Sequence, residues 1–196
     1  MDKAIYVGFG GNLPHPRYRA PKATLEAALG ALRTRGVEIL RVSPWYRTAP
    51  VPASDQPWYF NAVAEISSPL TADRLLAELH AVEDEFGRVR SVPNAPRLID
   101  LDLLDFRGEI APGGAGKATL PHPRMTGRAF VLRPLADLAP GWRHPVTGAS
   151  IRALAAAFPR PSQPGPPQRR RLRAAARGPP GYGYKKRRSA RRFGAR

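Results

Sequence analysis

The chain has 196 residues and a formal net charge of +17, with 42% hydrophobic and 24% charged residues. This composition is typical of a globular protein, and the length suits one folded domain with a substantial core. The absence of cysteine excludes a disulfide framework and a cysteine-based zinc site. Apolar stretches are far shorter than the roughly 20 residues that span a bilayer, and the N-terminus does not resemble a signal peptide, so we expect a cytoplasmic protein.

The positive charge is concentrated at the C-terminal end. Residues 160–196 contain 13 Arg and Lys and no acidic residue, whereas residues 1–159 contain 19 basic and 15 acidic residues. The C-terminal segment is rich in Pro, Gly and Arg and has almost no aliphatic side chains to bury, so the entropy of ordering it should keep it disordered. We therefore expect a folded domain over residues 1–159 and a disordered basic tail over 160–196.

Three interpretations of this tail are open. It is an electrostatic arm for nucleic acid or another polyanion, a disordered extension without function, or the translation of a shifted reading frame. We favour the extension without function, since nucleic-acid contact has no support beyond the charge itself.

The first half of the chain predicts the order strand, helix, strand, strand. A strand is expected over 4–9, before a loop rich in Gly and Pro. Thr24 is the expected N-cap of a helix whose apolar residues recur at helical spacing up to Gly36. Further strands are expected over 37–47 and 60–67, on either side of a loop that contains prolines.

The second half adds a helix, a strand and a short final helix. The second helix is expected to begin at Thr71 and to end at Gly87, and a strand follows over 98–106. A Gly-rich segment comes next, and a short helix near 150–158 closes the domain. This alternation, with a hairpin in the middle, predicts an α+β fold in which helices cover a mainly antiparallel sheet.

The segment RLIDLDLL, residues 97–104, contains Asp100 and Asp102 in an apolar run. Side chains alternate along a strand, so the two carboxylates should lie on one face and the intervening leucine on the other. Two neighbouring anions favour a cation between them, and oxygen ligands suit Mg²⁺, which takes further ligands from water and nucleotide phosphates. A solvated strand face with paired arginines is the alternative, and the spacing does not decide between the two.

Four arginines lie in loop-like segments near these elements: Arg88, Arg90, Arg97 and Arg128. A guanidinium binds phosphate oxygens through two hydrogen bonds, so the arginines and the carboxylate pair together suit a magnesium-bound polyphosphate. Each arginine alone is more often a surface charge than a ligand.

Two further groups of residues share a face. Tyr59 and Asn61 are two apart at the start of a strand, which offers an aromatic ring beside an amide for a flat heteroaromatic ligand, or forms a core tyrosine with a turn asparagine. Leu76, His80 and Glu83 share one face of the second helix, away from its apolar stripe, and that face is available for a ligand.

His122 lies between two prolines, which restrict the backbone on either side. It either donates a hydrogen bond to a phosphate or makes a structural loop contact, and no other histidine lies at a spacing that would favour zinc. The N-terminal GFGGN matches neither of the common glycine-rich phosphate-binding motifs, so we reject that interpretation.

Six segments, in this order, closely resemble the 6-hydroxymethyl-7,8-dihydropterin pyrophosphokinase family: YVGFGGNL, VSPWYRTAPV, QPWYFNAVAEI, VEDEFGRVR, APRLIDLDLL and LPHPRMTGRAFVLRPLADLAP. The resemblance covers about residues 4–158. It implies a ferredoxin-like α+β fold and an enzyme of folate biosynthesis. The implied reaction transfers pyrophosphate from ATP to the hydroxymethyl group of the pterin and releases AMP.

The resemblance also implies roles for individual residues. Asp100 and Asp102 would bind two Mg²⁺ ions that bridge the ATP phosphates, and Arg88 and Arg90 complete the implied catalytic set. The positions that match the family's pterin pocket are Thr48, Ala49, Val51, Tyr59, Asn61 and Phe130. Those that match its ATP site are Leu76, His80, Glu83, Arg90, Arg97, Leu103, Lys117, Thr119, His122 and Arg128.

Two other functions stay open. One is a nucleic-acid-binding protein with a vestigial catalytic module, although the intact aspartate pair and arginine set argue against a dead enzyme. The other is a different magnesium-dependent nucleotide enzyme on the same strand pair. We expect a monomer whose partners are small-molecule substrates, with no membrane association.

Overall fold

The computed structural model describes residues 4–89 and 95–158. They belong to one compact unit, Met1–Pro159. Arg90 and the basic tail predicted over 160–196 lie outside the described residues. Within the described ranges, no helix combines the length and the apolar character needed to cross a membrane.

A five-stranded antiparallel sheet forms the centre of the fold. Its strands are β1 (Ile5–Gly11), β2 (Glu38–Val42), β3 (Tyr46–Thr48), β4 (Tyr59–Ser67) and β5 (Asp100–Phe106). The strand order is β2-β4-β1-β5, and β3 also pairs with β4. Every pairing is antiparallel. Helices follow β1 and β4, which gives the ferredoxin-like arrangement and confirms the predicted α+β class.

Helices cover both faces of this sheet. They are α1 (Pro21–Thr34), α2 (Ala72–Glu85), α3 (Ala129–Leu138) and α4 (Ile151–Ala156). Side chains of α1 and α2 form one core with Val7, Ile66 and Leu101, and side chains of α3 and α4 form a second core with Val63 and Leu104. Because alternate residues of a strand face opposite sides, central strands buried on both faces explain why these segments are so apolar.

Two predicted boundaries are wrong. Helix α1 begins at Pro21, because proline suits the first turn, and Thr24 lies inside the helix, where its hydroxyl donates to the Ala20 carbonyl at 3.1 Å. The strand predicted over 37–47 is two strands, β2 and β3. The break falls at Pro44, which has no N–H to donate to a neighbouring strand.

Other boundaries agree. Thr71 caps α2, since its side chain accepts a hydrogen bond from the Arg74 N–H at 3.4 Å. Gly87 follows the end of α2 with a positive φ of 72°, a conformation that glycine adopts without strain. The final short helix is α4.

The sequence prediction assigned no structure to the hairpin of β6 (Ala111–Gly114) and β7 (Lys117–Leu120) or to α3. The hairpin is tied to the start of α2, because the Ala118 N–H donates to Asp73 Oδ1 at 2.9 Å. This hydrogen bond places β7 beside α2.

Candidate active site

A cavity of about 570 Å³ opens above β1, β4 and β5 and is bounded by the segment that leads into α3. Every position that matches the pterin pocket lines it: Thr48, Ala49, Val51, Tyr59, Asn61 and Phe130. Four predicted polar residues line the same cavity: Arg97, Asp100, Asp102 and Arg128. The fold therefore brings the predicted pterin positions and the aspartate pair to one place.

The aspartates face the cavity because of the strand alternation. Leu101 and Leu103 point into the core beneath α1 and α2, whereas Asp100 and Asp102 point to the opposite side. In the ladder between β1 and β5, Gly10 lies opposite Asp100 and Gly8 lies opposite Asp102. The predicted separation of the strand into an apolar face and a carboxylate face is confirmed.

Asp100 is held by two arginines. Arg88 Nη2 lies 2.7 Å from Asp100 Oδ1, and Arg97 Nη1 lies 2.8 Å from Asp100 Oδ2. Arg97 is itself fixed by the buried Asn12, whose side-chain oxygen accepts the Arg97 N–H at 2.8 Å. Both carboxylate oxygens of Asp100 therefore have a positively charged partner.

Asp102 contacts Arg128 and His122. Arg128 Nη1 lies 2.7 Å from Asp102 Oδ2, and His122 Nε2 lies 3.5 Å from Asp102 Oδ1. Burial alone would raise the pKa of Asp102, but the hydrogen bond and charge of His122 and then those of Arg128 outweigh it and lower this pKa to about 2. Asp102 is therefore an anion at neutral pH, as a metal ligand must be.

The backbone fixes the orientation of His122. The ring Nδ1 of His122 accepts a hydrogen bond from the backbone N–H of Arg124 at 3.1 Å. The backbone N–H of His122 donates to the Leu104 carbonyl oxygen at 2.8 Å. Since Nδ1 accepts a hydrogen bond, Nε2 is the ring nitrogen that can donate, and it faces Asp102. His122 thus presents a donor toward the cavity side of β5.

The cavity lining also carries neutral polar groups. Asn61, which is buried, donates from Nδ2 to Thr48 Oγ1 at 2.8 Å. The Tyr59 hydroxyl lies 3.2 Å from Gln56 Oε1 and 3.3 Å from the Ala95 carbonyl oxygen. Burial raises the pKa of Tyr59, so its phenol is neutral at physiological pH. Together, these residues offer an amide, a hydroxyl and an aromatic ring to a ligand.

Most of the other predicted ATP positions lie away from this cavity. Leu76 and His80 are half-buried on α2, Lys117 and Thr119 are exposed on β7, and Leu103 is buried under the sheet. The first four lie on α2 and β7, and the hydrogen bond between Ala118 and Asp73 places these two elements side by side. Arg90 lies outside the described residues.

Glu83 requires a correction. The helical periodicity predicts a face of α2 that is open to a ligand, but the Glu83 side chain is 0% exposed. Its Oε1 accepts the Leu101 N–H at 2.7 Å and also contacts Arg88 Nη1. The expectation of an accessible Glu83 is wrong because β5 and Arg88 cover the carboxylate.

Sequence reasoning missed residues of the cavity lining, and also Asn12, which holds Arg97 beside the cavity. Gly8 and Gly10 form part of the lining on β1, and their alternation within GFGGN was the available signal. Arg124 also lines the cavity, but its neighbours in the sequence, PHPRM, do not indicate this position. Asn12 was not predicted because a single asparagine after a strand is typical of a turn.

The donor set fits magnesium. Within residues 4–89 and 95–158, no group of three or more His, Cys, Asp and Glu side chains is placed to hold a metal ion. A metal at Asp100 and Asp102 would therefore have two carboxylates as protein ligands. This matches Mg²⁺, which is commonly bound through one or two carboxylates together with water and substrate phosphates.

Comparisons with known proteins give a consistent set of relatives. A model of the 7,8-dihydro-6-hydroxymethylpterin-pyrophosphokinase family matches residues 6–140. The 2-amino-4-hydroxy-6-hydroxymethyldihydropteridine pyrophosphokinase of Pseudomonas aeruginosa is 40% identical over 160 residues, which cover 81% of this chain and 94% of that protein. The protein of the same name from Synechocystis sp. is 40% identical over 148 residues, which cover 76% of this chain and 72% of that protein.

Two other relatives are much longer than this chain. Folic acid synthesis protein fol1 of Pneumocystis carinii is 36% identical over 150 residues, which cover 76% of this chain but 19% of that protein. The crystal structure of Plasmodium falciparum HPPK-DHPS wild type matches 79% of this chain and 44% of that chain, with a TM-score of 0.57 and 11% identity. At this identity the structural match bears on the fold alone.

Proposed function

The chain belongs to the 7,8-dihydro-6-hydroxymethylpterin-pyrophosphokinase family, and we propose that it transfers the pyrophosphoryl group of ATP to the hydroxymethyl group of 6-hydroxymethyl-7,8-dihydropterin in folate biosynthesis. One observation carries this proposal. A single cavity is lined both by the neutral side chains of Tyr59, Asn61 and Phe130 and by the carboxylates of Asp100 and Asp102.

The neutral side chains of the cavity lining suit the pterin. A pterin is a flat ring system edged by hydrogen-bond donors and acceptors, so it needs aromatic faces and an amide in its plane. Tyr59 and Phe130 supply the aromatic rings. Asn61, oriented by its hydrogen bond to Thr48, supplies the amide.

The charged side chains of the cavity lining suit the ATP polyphosphate. Arg97 and Arg128 line the cavity and are paired with Asp100 and Asp102. Each carboxylate is therefore already paired with a guanidinium in the protein alone. We infer that binding of the metal and the nucleotide breaks these ion pairs. The carboxylates then bind the cation, and the guanidinium groups bind phosphate oxygens.

Asp100 and Asp102 are the residues that would hold magnesium, which we expect as two ions. When bound, magnesium neutralises phosphate charge and draws electrons from the phosphoryl group. His122 is oriented to donate from Nε2 on the same side. Arg97 and Arg128 add positive charge where the transferred group becomes more negative.

The reaction itself requires little covalent chemistry from the chain. The hydroxymethyl oxygen bonds to the β-phosphorus while the bond from that phosphorus to the α–β bridging oxygen breaks, so AMP leaves with the bridging oxygen and the hydroxyl proton is released. The two substrates must lie in line for this displacement. The neutral and the charged side chains of the cavity would hold the two substrates in line.

The test measures AMP release by the full-length chain with ATP and Mg²⁺, with and without 6-hydroxymethyl-7,8-dihydropterin. We expect AMP and the pterin diphosphate to form in equal amounts, and only when the pterin is present. A pterin that carries a methyl group in place of the hydroxymethyl group is the matched control, because it keeps the ring but offers no hydroxyl to the phosphorus.

The other outcomes separate the competing functions. AMP release that is independent of the pterin would favour a different magnesium-dependent nucleotide enzyme. No release under any condition, together with salt-sensitive binding of RNA or DNA, would favour a nucleic-acid-binding protein with a vestigial site.

We also propose that residues 1–159 are sufficient for the activity, so that truncation after residue 159 leaves turnover unchanged.

A further inference from the structure

Glu83 is a carboxylic acid in the core of the domain. Its side chain is 0% exposed, and it lies on the buried side of α2 with Leu75, Leu79 and Val82. An ionised carboxylate in such a place is strongly disfavoured unless charged or hydrogen-bonded partners compensate for the lost water. A leucine or methionine would fill the same volume without this penalty, so the position of Glu83 needs an explanation.

The contacts of Glu83 lead to the candidate metal ligands. Glu83 Oε1 accepts the N–H of Leu101 at 2.7 Å, and Leu101 is the residue between Asp100 and Asp102. The same oxygen contacts Arg88 Nη1, while Arg88 Nη2 lies 2.7 Å from Asp100 Oδ1. One guanidinium thus bridges the buried glutamate and the first aspartate.

The turn after α2 supports this bridge. Gly87 has a positive φ of 72°, and the Arg88 N–H then donates to the Glu83 carbonyl oxygen at 3.0 Å. Arg88 is therefore attached to Glu83 through its backbone and its side chain. A guanidinium whose two ends are both occupied has little rotational freedom left, because its N–H donors form a rigid planar fork.

We propose that Glu83 is a positioning residue for the pyrophosphoryl transfer: it holds β5 at Leu101 and sets the angle at which Arg88 meets Asp100 and the bound polyphosphate. This inference rests on the proposed function and deepens it. Glu83 acts through Arg88 and the strand and does not contact the nucleotide itself. The aspartate pair is thereby held by contacts from the α2 side of the sheet as well as by contacts from the cavity.

The decisive variant is Glu83→Gln in the full-length chain. Glutamine keeps an oxygen that accepts the Leu101 N–H but removes the charge that holds Arg88. Loss of such an orienting partner typically lowers metal affinity or activity by about 10- to 100-fold. We expect kcat to fall within this range, the KM for the pterin to stay within about twofold, and the thermal unfolding midpoint to move little.

A double-mutant cycle with Arg88→Gln separates positioning from packing. If Glu83 acts through Arg88, the variant that carries both changes has the kcat of Arg88→Gln alone. If Glu83→Gln lowers kcat by the same factor in both backgrounds, or leaves kcat unchanged in the wild-type background, the proposal is overturned. Glu78→Gln is the control on the same helix, since Glu78 pairs with Arg35, and its kcat should equal that of the wild type.

A second variant covers the case in which Glu83→Gln fails to fold. Arg88→Lys keeps the positive charge but has no planar fork to bridge Glu83 and Asp100, and Arg88 is partly exposed, so the domain should tolerate the change. Unchanged kcat in Arg88→Lys would contradict the proposal. The wild-type assay keeps the two claims apart, because absence of pterin-dependent AMP release there refutes the proposed function before any variant is compared.

Discussion

Gly10 of β1 lies directly opposite Asp100 of β5 in the antiparallel ladder. A Cβ atom at Gly10 would lie 3.2 Å from Asn61 Oδ1 and 3.8 Å from Asp100 Cβ. Gly10 therefore leaves room for the Asn61 amide beside the carboxylate of Asp100. A side chain at this position would require Asn61 to move by a few tenths of an ångström, whereas its contact with Asp100 would be an ordinary van der Waals contact.

Gly10→Ala should weaken pterin binding. The added methyl group must displace Asn61, whose amide is fixed by Thr48, and overpacking of this kind costs about 1–3 kcal/mol. We expect the KM for the pterin to rise about tenfold while the KM for ATP changes less. Initial rates measured at varied pterin and at varied ATP concentration check this.

Gly30→Ala is the matched control. Gly30 lies inside α1, and a Cβ there would have no other atom within 4 Å. Alanine favours a helix over glycine by about 1 kcal/mol, so this variant should be slightly more stable and fully active. Equal KM values for the pterin in the two variants would show that Gly10 makes no special room for Asn61.

Asp102→Asn should abolish pterin-dependent AMP release. The amide has nearly the same shape as the carboxylate, but it lacks the negative charge that a magnesium ligand supplies. The remaining Oδ1 can still accept the hydrogen bond from Arg128, so the fold should persist. Turnover is measured by AMP release and folding by the thermal unfolding midpoint.

The exposed Asp84 on α2 provides the control for this prediction. Asp84→Asn removes one carboxylate at a distance from the cavity and should leave turnover unchanged. Near-normal turnover in Asp102→Asn would refute the assigned metal role, whatever the control shows.

Features of the sequence with a strong period predicted the site well. The period of two along β5 correctly placed Asp100 and Asp102 on the face opposite Leu101, because that pattern depends only on strand geometry. The start of α2 was correctly predicted at Thr71, which caps the helix, because a hydroxyl before an apolar helical stripe is a local signal.

Features that depend on tertiary neighbours were not predictable in the same way. The helical period placed Glu83 on a face of α2 but gave no sign that β5 would cover it. A third aspartate of β5, Asp105, is also buried, but its carboxylate accepts a hydrogen bond from Trp142 Nε1 at 2.6 Å and does not line the cavity. The three aspartates of one strand therefore have different roles, and the tertiary contacts distinguish Asp105 from the two that face the cavity.

Tyr46 should make stability depend on pH in the alkaline range. Burial, followed by the hydrogen bond of its hydroxyl to Asp137 Oδ2 at 2.5 Å, raises the pKa of Tyr46 to about 12. The folded state therefore keeps a proton that the unfolded chain loses near pH 10. Its contribution to the free energy of unfolding is fully present below about pH 10 and is lost as the pH rises toward 12.

Tyr46→Phe removes this titrating group. We expect its free energy of unfolding, measured by urea denaturation at several pH values, to fall less steeply between pH 10 and 12 than that of the wild type. Asp137→Asn keeps an acceptor for the hydroxyl without the charge and should give an intermediate slope. Equal slopes in all three proteins would contradict the assignment of this pH dependence to Tyr46.

Arg124 should contribute to ATP affinity. It lines the cavity, and its guanidinium has no hydrogen bond or ion pair with the described part of the chain, whereas Arg97 and Arg128 are paired with the two aspartates. A free cation at the rim of an anion-binding site raises the local concentration of a polyphosphate and can bind one of its oxygens.

Arg124→Gln should therefore raise the KM for ATP by about three- to tenfold, since a hydrogen bond to a charged group contributes less at an exposed site than in the interior. The effect should shrink as the salt concentration rises, because salt screens exposed charges. Arg152→Gln is the control, since Arg152 is exposed on α4 and does not line the cavity. If both variants raise the KM for ATP equally, the overall charge of the protein explains the effect and Arg124 has no specific part in the site.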